Sequence, residues 1–150
     1  MDFNDTAEEA KFRKEAFEWL KANADLKEGP KDGWRSASEE EGLEQVKVWQ
    51  NKLYESGWAC MHWPKEFGGR ESTPIERVIW GQEISKFKVP GGYLEIGQGM
   101  AGPVMMMYAT EEQKARHLPP MARGEEIWCQ LFSEPGAGSD LAGLKTKSVL

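Results

Sequence analysis

No apolar run in this sequence approaches the roughly 20 residues that a helix needs to cross a bilayer, which excludes a helical transmembrane segment. There are only two cysteines, Cys60 and Cys129, and neither stands at metal-ligand spacing. A disulfide framework and a cysteine metal site are thereby excluded, and the thiols read as reduced groups of a cytoplasmic protein. Basic charge is in deficit, with 19 Lys and Arg against 25 Asp and Glu and a formal net charge of −6. Neutralising nucleic-acid phosphates requires clustered Lys and Arg, so nucleic-acid binding is not the expected task. The opening residues, MDFNDTAEEA, are acidic and lack the apolar stretch of a signal peptide. No internal repeat and no low-complexity segment is present. What the 150 residues do hold in quantity is tryptophan and methionine, seven of each, most of them expected in a core.

Helix signals dominate the first 124 residues. Thr6 with Glu9 fits a capping box, in which a hydroxyl and a carboxylate satisfy each other's orphan backbone donors, and Phe12, Ala16, Trp19 and Leu20 then share one face. Ser38 with Glu41 repeats the signal ahead of Leu43, Val46, Trp49 and Leu53, and Gly57 offers a left-handed stop. The stretch GWACMHWPKEFGGRES has no period and reads as a structured loop with aromatic anchors. Thr73-Pro74-Ile75-Glu76 combines a cap, a proline at the first helical position and a third-position Glu. Ile75, Val78, Ile79 and Ile84 are expected to face inward from that helix. VPGGYLEIGQG breaks the pattern, and a short helix apolar nearly all round is expected from about Met100 to Tyr108, with Pro103 in its first turn. Thr110 with Gln113 opens a further helix ending at Gly124. From Ile127 the run IWCQLF has strand character.

The glycine-rich FSEPGAGSD, Phe132 to Asp140, is the most specific feature. A plain surface turn accounts for it in many sequences. A phosphate loop of the Gly-x4-Gly-Lys-Ser/Thr type is excluded, because no lysine follows. A dinucleotide fingerprint fails as well: the third glycine and the surrounding βαβ unit are missing. What remains beside the turn is a backbone reading. Gly136 and Gly138 allow close main-chain approach, successive amides can hold an anion, and Ser133 and Ser139 flank the turn with hydroxyls.

WCQLFSEPGAGSDLAGLKT, Trp128 to Thr146, closely resembles the flavin signature of the acyl-CoA dehydrogenase family. GWACMHWPKEFGGR and YATEEQKARHLPPMARGEEIW resemble two earlier segments of the same family, in the same order. The resemblance implies a mainly α chain: residues 1–124 as the family's N-terminal helical domain and residues 125–150 as the beginning of an incomplete central β domain. It implies FAD as cofactor, with Gln130, Leu131, Phe132, Ser133, Gly138 and Ser139 as cofactor-binding residues. Main-chain groups of Phe132 and Ser133 would meet the isoalloxazine edge, and the Ser133 hydroxyl would approach N5. Ser139 would also touch the substrate. Phe132 is bulkier than the family's usual aliphatic residue. Glu134 and Asp140 are expected to fix the loop, and Tyr93 to Tyr108 resembles the wall of the acyl pocket.

The implied activity of the whole parent protein is oxidation of the Cα–Cβ bond of an acyl-CoA thioester, the chemistry of β-oxidation. An electron-transfer flavoprotein is the implied electron acceptor, and a homo-oligomer (dimer or tetramer) the implied assembly. The family's glutamate base belongs to a C-terminal bundle, so no catalytic residue is expected in this chain, and the 150-residue chain alone is expected to be inactive. A flavin monooxygenase or nitroalkane-oxidase-like member of the same fold, and a non-enzymatic helical module, remain alternatives. His62 and His117 are expected to be structural or surface residues.

Overall fold

The computed structural model describes residues 4–149. Helix α1, Ala7–Asn23, starts at the Thr6–Glu9 capping box and buries Phe12, Ala16 and Leu20. Helix α2, Glu39–Glu55, is capped by Ser38, whose hydroxyl accepts from the Glu41 amide. Here the box is only half formed, because the Glu41 carboxylate accepts instead from the Ala37 amide and the Gln45 side chain. Gly57 follows the helix at φ +71°, the left-handed conformation that a glycine adopts without steric cost. Helix α3, Pro74–Ile84, has the complete Thr73–Glu76 box and proline in its first turn.

Helix α3 packs on α1 through Ile79, Trp80 and Glu83. Two of the residues expected to face inward do not. Ile75 is 46% and Val78 53% exposed. The face that wins is the one carrying Glu83, whose carboxylate is drawn to Arg13 of α1 at 2.8 Å. Val78 is turned away from that face, and Ile75 stands in the exposed first turn. A two-stranded antiparallel sheet, β1 (Asp25–Leu26) with β2 (Phe87–Lys88), clasps the segments that follow α1 and α3. The sequence carries no strand signal there.

Between α2 and α3 the aperiodic loop is built around tryptophan. Trp58 stacks on Trp80 at 4.7 Å between ring centroids, and the Arg70 guanidinium lies 3.9 Å over the Trp58 ring while donating to the Glu15 carboxylate. Such a cation over an aromatic face adds about 0.5–1 kcal/mol where partly exposed. Trp63 is fully buried. Its neighbour Gly69 could carry no side chain, since a Cβ there would stand 2.1 Å from the Trp63 carbonyl.

The helix expected from about Met100 begins earlier. Residues 95–108 are helical throughout, with a π turn over Gly97–Ala101 leading into α4, Gly102–Tyr108. It is also less buried than an all-apolar helix suggests, with Val104, Met107 and Tyr108 exposed. Helix α5, Glu111–Arg123, runs from the Thr110–Gln113 box to Gly124 with Pro119 and Pro120 inside it. The run from Ile127 forms no ladder among the described residues. A strand exists only by bonding to a neighbour, and no other described segment pairs with it.

Candidate functional site

The site is built from the helical wall 95–108 and the extended segment that follows α5. The π turn is tied to Pro103 beside it and to a tryptophan far along the chain. The Gly102 amide donates to the Gly97 carbonyl, five residues back, and Pro103 has no amide to give Gln98. The Gln98 carbonyl is met by the Trp63 indole N–H at 2.9 Å instead. Gly102 sits flat on that indole, where an added Cβ would lie 2.2 Å from the ring. The Gln98 amide in turn donates to the Met121 carbonyl, and the buried Gln50 amide donates to the Ala122 carbonyl at 2.7 Å. The Met121 carbonyl, which also accepts from the Gly124 amide at the end of α5, and the Ala122 carbonyl are thus tied to side chains of other segments.

Opposite this wall runs the segment 129–132. Together they line a cleft of about 550 Å³, with Ile96, Met100 and Met105 on one side and Cys129 to Phe132 on the other. Its lining is mainly apolar, and methionine adapts its shape to a varied guest. No carboxylate lines it among the described residues. Leu131 is 87% and Phe132 71% exposed, a large apolar surface left facing outward.

The glycine-rich loop is a tight turn. Glu134 and Ala137 exchange both main-chain hydrogen bonds, at 2.9 and 3.0 Å, across Pro135-Gly136. The Glu134 carboxylate accepts from the Thr146 hydroxyl and from the amides of Lys145 and Thr146. The Thr146 hydroxyl above all, then the Lys145 amide, holds its pKa below the ordinary carboxylate value. Glu134 therefore has the geometry of a loop-fixing residue. Asp140 bonds the Gly143 amide through its carbonyl, and a Cβ on Gly143 would meet the Asp140 carboxylate at 2.9 Å.

Of the sequence-predicted site residues, the fold brings Gln130, Leu131 and Phe132 into the cleft wall. Ser133 and Gly138 face each other across the turn, a Cβ on Gly138 coming 3.9 Å from the Ser133 hydroxyl. Ser139 is exposed and does not line the cleft. Cys129 does line it; the sequence marked it only as a reduced thiol. His62 is exposed, with its pKa lowered by partial burial and by Arg77. His117 sets its ring edge-on to Trp128 at 5.4 Å and its Nδ1 3.7 Å from the Glu126 carboxylate.

The donor set suits a flat cofactor with a polar rim. Among the described residues, the main-chain amides of 130–133 and the hydroxyls of Ser133 and Ser139 have no hydrogen-bond partner. Gly136 has open space where a side chain would stand, so a ligand can approach the backbone closely there.

Residues 6–125 match the family model described as acyl-CoA dehydrogenase, N-terminal domain. The chain is 37% identical over 112 residues to acyl-CoA dehydrogenase IpdE1 of Mycobacterium tuberculosis, covering 75% of this chain and 29% of that protein. It is 46% identical over 100 residues to acyl-CoA dehydrogenase FadE34 of the same organism, covering 67% of this chain and 14% of that protein. Among solved structures, the Tcur3481-Tcur3483 steroid ACAD matches with a TM-score of 0.68 at 27% identity, over 98% of this chain and 37% of that one. The ChsE4-ChsE5 complex from Mycobacterium tuberculosis matches with a TM-score of 0.64 at 28% identity, over 97% and 35%. The chain thus spans about a third or less of the length of these relatives. Because that family model matches residues 6–125, well over half of the chain, the chain belongs to the acyl-CoA dehydrogenase family.

Proposed function

We propose that this chain supplies one side of the active site of a FAD-dependent acyl-CoA dehydrogenase, with residues 1–124 as its helical domain and 125–150 entering the β domain. The observation that carries this reading is the cleft between the Met100–Met105 wall and the segment 129–132. FAD, when bound, supplies the two-electron acceptor for oxidation of an acyl thioester. The main-chain amides of Phe132 and Ser133 hold the polar rim of the flavin, and the Ser133 hydroxyl donates to it. Donors aimed at developing negative charge favour the reduced form of the cofactor. Gln130 and Leu131 complete the rim, while Gly138 and Ser139 give close approach to a phosphate or to the CoA arm. The methionine wall receives the acyl group and keeps water from it.

The α-proton needs a base, and among the described residues no carboxylate lines the cleft. Glu134 is committed to Thr146 and Lys145, and Glu126 to Arg116 at 2.6 Å. The base therefore comes from residues other than these. The proposed substrate is a bulky acyl-CoA, in keeping with the adaptable wall and with the steroid ACAD among the structural matches. An electron-transfer flavoprotein as electron acceptor, oligomeric assembly and a cytoplasmic setting complete the proposal. The test uses the full-length parent protein. It should purify with FAD, and its flavin absorbance should bleach anaerobically with acyl-CoAs carrying bulky acyl groups. A parent that binds no flavin, or whose flavin is bleached by no thioester from short-chain to steroid-bearing, overturns the reading.

A further inference from the structure

Trp128 occupies a joint between three elements. His117 of α5 meets its ring edge-on at 5.4 Å. The π turn also stands close, where an added Cβ on Gly97 would come 3.4 Å from the Trp128 Cβ and 3.3 Å from Met121. Glu126, two residues before Trp128, bonds Arg116 of α5 at 2.6 Å and stands 3.7 Å from His117. The next residue after Trp128, Cys129, already lines the cleft. The segment 129–132 makes no main-chain hydrogen bond among the described residues that would fix its distance from the methionine wall. Trp128 is therefore the last firm anchor before that wall begins.

We propose that Trp128, in contact with His117 and close to Gly97, is a positioning residue that sets the gap between the two cleft walls and thereby selects the bulk of the acyl group. This rests on the acyl-CoA reading of the cleft. Trp128 stands against the π turn at its Cβ and acts through Cys129 to Phe132. Removing it frees the wall and erases discrimination by size. A methyl group on Gly97 moves the same wall by a few tenths of an ångström without removing any contact.

The test compares wild type, Trp128→Ala, Trp128→Phe and Gly97→Ala in the full-length, flavin-loaded parent, with Val46→Ala in the α2 core as a variant that lowers stability alone. Two readouts are taken: the ratio of KM values for bulky and short acyl-CoAs, and the rate of Cys129 alkylation by iodoacetamide, followed by peptide mass. Cys60 is buried with its thiol pushed up to about 12, so it stays silent. Trp128→Ala should change the KM ratio about tenfold with little change in kcat, the pattern of altered binding and not of altered chemistry. It should also change the Cys129 rate several-fold, Trp128→Phe should restore much of both, and Gly97→Ala should shift both. Wild-type ratios and rates in the Trp128 and Gly97 variants, or an equal shift in Val46→Ala, overturn the proposal. Should the wild-type parent turn over no thioester, the acyl-CoA reading falls, and the Cys129 rate alone decides the joint: a change supports it and an unchanged rate overturns it.

Discussion

Glu83 is 1% exposed in a surface helix, and nothing in its sequence neighbourhood sets it apart from the chain's other glutamates. Burying a carboxylate is costly unless it is paired. Here Lys86 and Arg13 both bond it, at 2.6 and 2.8 Å, and Arg13 also holds Asp5. Burial pushes the Glu83 pKa up, but Lys86 and Arg13 outweigh it and leave the pKa below the ordinary value of 4.5. A depressed folded-state pKa means stability that is fully present above 4.5 and lost as pH falls through the lower folded value. Glu83→Gln should therefore cost roughly 2–3 kcal/mol near neutral pH, and the gap from wild type should close in acid, as read by urea unfolding at both pH values. A gap that stays constant with pH would mean the pair contributes nothing. Gly102 is a second residue whose role is invisible locally. Its Cβ position lies 2.2 Å from Trp63, so Gly102→Ala should destabilise by about 1–3 kcal/mol in the same assay.

Among the elements, the helix starts were legible because capping acts over three residues. The Thr6–Glu9, Thr73–Glu76 and Thr110–Gln113 boxes stand where the sequence puts them. The π turn was not legible. Three glycines and a proline within 97–103 argue against a helix on propensity, and only tertiary packing overrides that. Its energetics are open to a double-mutant cycle. Trp63→Phe removes the donor to the Gln98 carbonyl, at a cost of about 1–3 kcal/mol. Pro103→Ala restores an amide at the position that Gln98 lacks, so the pair should be less damaging than the sum of the singles, by roughly 1 kcal/mol. Additive costs would show that the two donors do not compete for one carbonyl.

At the scale of the whole molecule, the apolar side of the cleft faces outward. Exposed apolar surface of this kind marks a place where something else packs. The 150-residue polypeptide should accordingly bind a hydrophobic dye, and the Leu131→Ser/Phe132→Ser pair should lower that binding while leaving the helical circular dichroism unchanged. Dye binding untouched by the pair would place the sticky surface elsewhere. Among the described residues no carboxylate lines the cleft, so on the proposed reading this polypeptide by itself should not dehydrogenate acyl-CoA. A soluble, yellow, dehydrogenating preparation of it would sink that expectation.

The amino-acid sequence by itself determined the four capped helix starts, at Thr6, Ser38, Thr73 and Thr110, because each is written within a few consecutive residues. Only the tertiary structure decided which face of α3 is buried, where the helix 95–108 begins, and that Cys129 to Phe132 oppose a methionine wall. Those outcomes rest on partners far apart in the chain, Arg13 with Glu83 across 70 residues and Trp63 with Gln98 across 35. The i, i+3 and i, i+4 patterns of a helix carry no information about which distant group will claim a buried charge or an orphaned carbonyl.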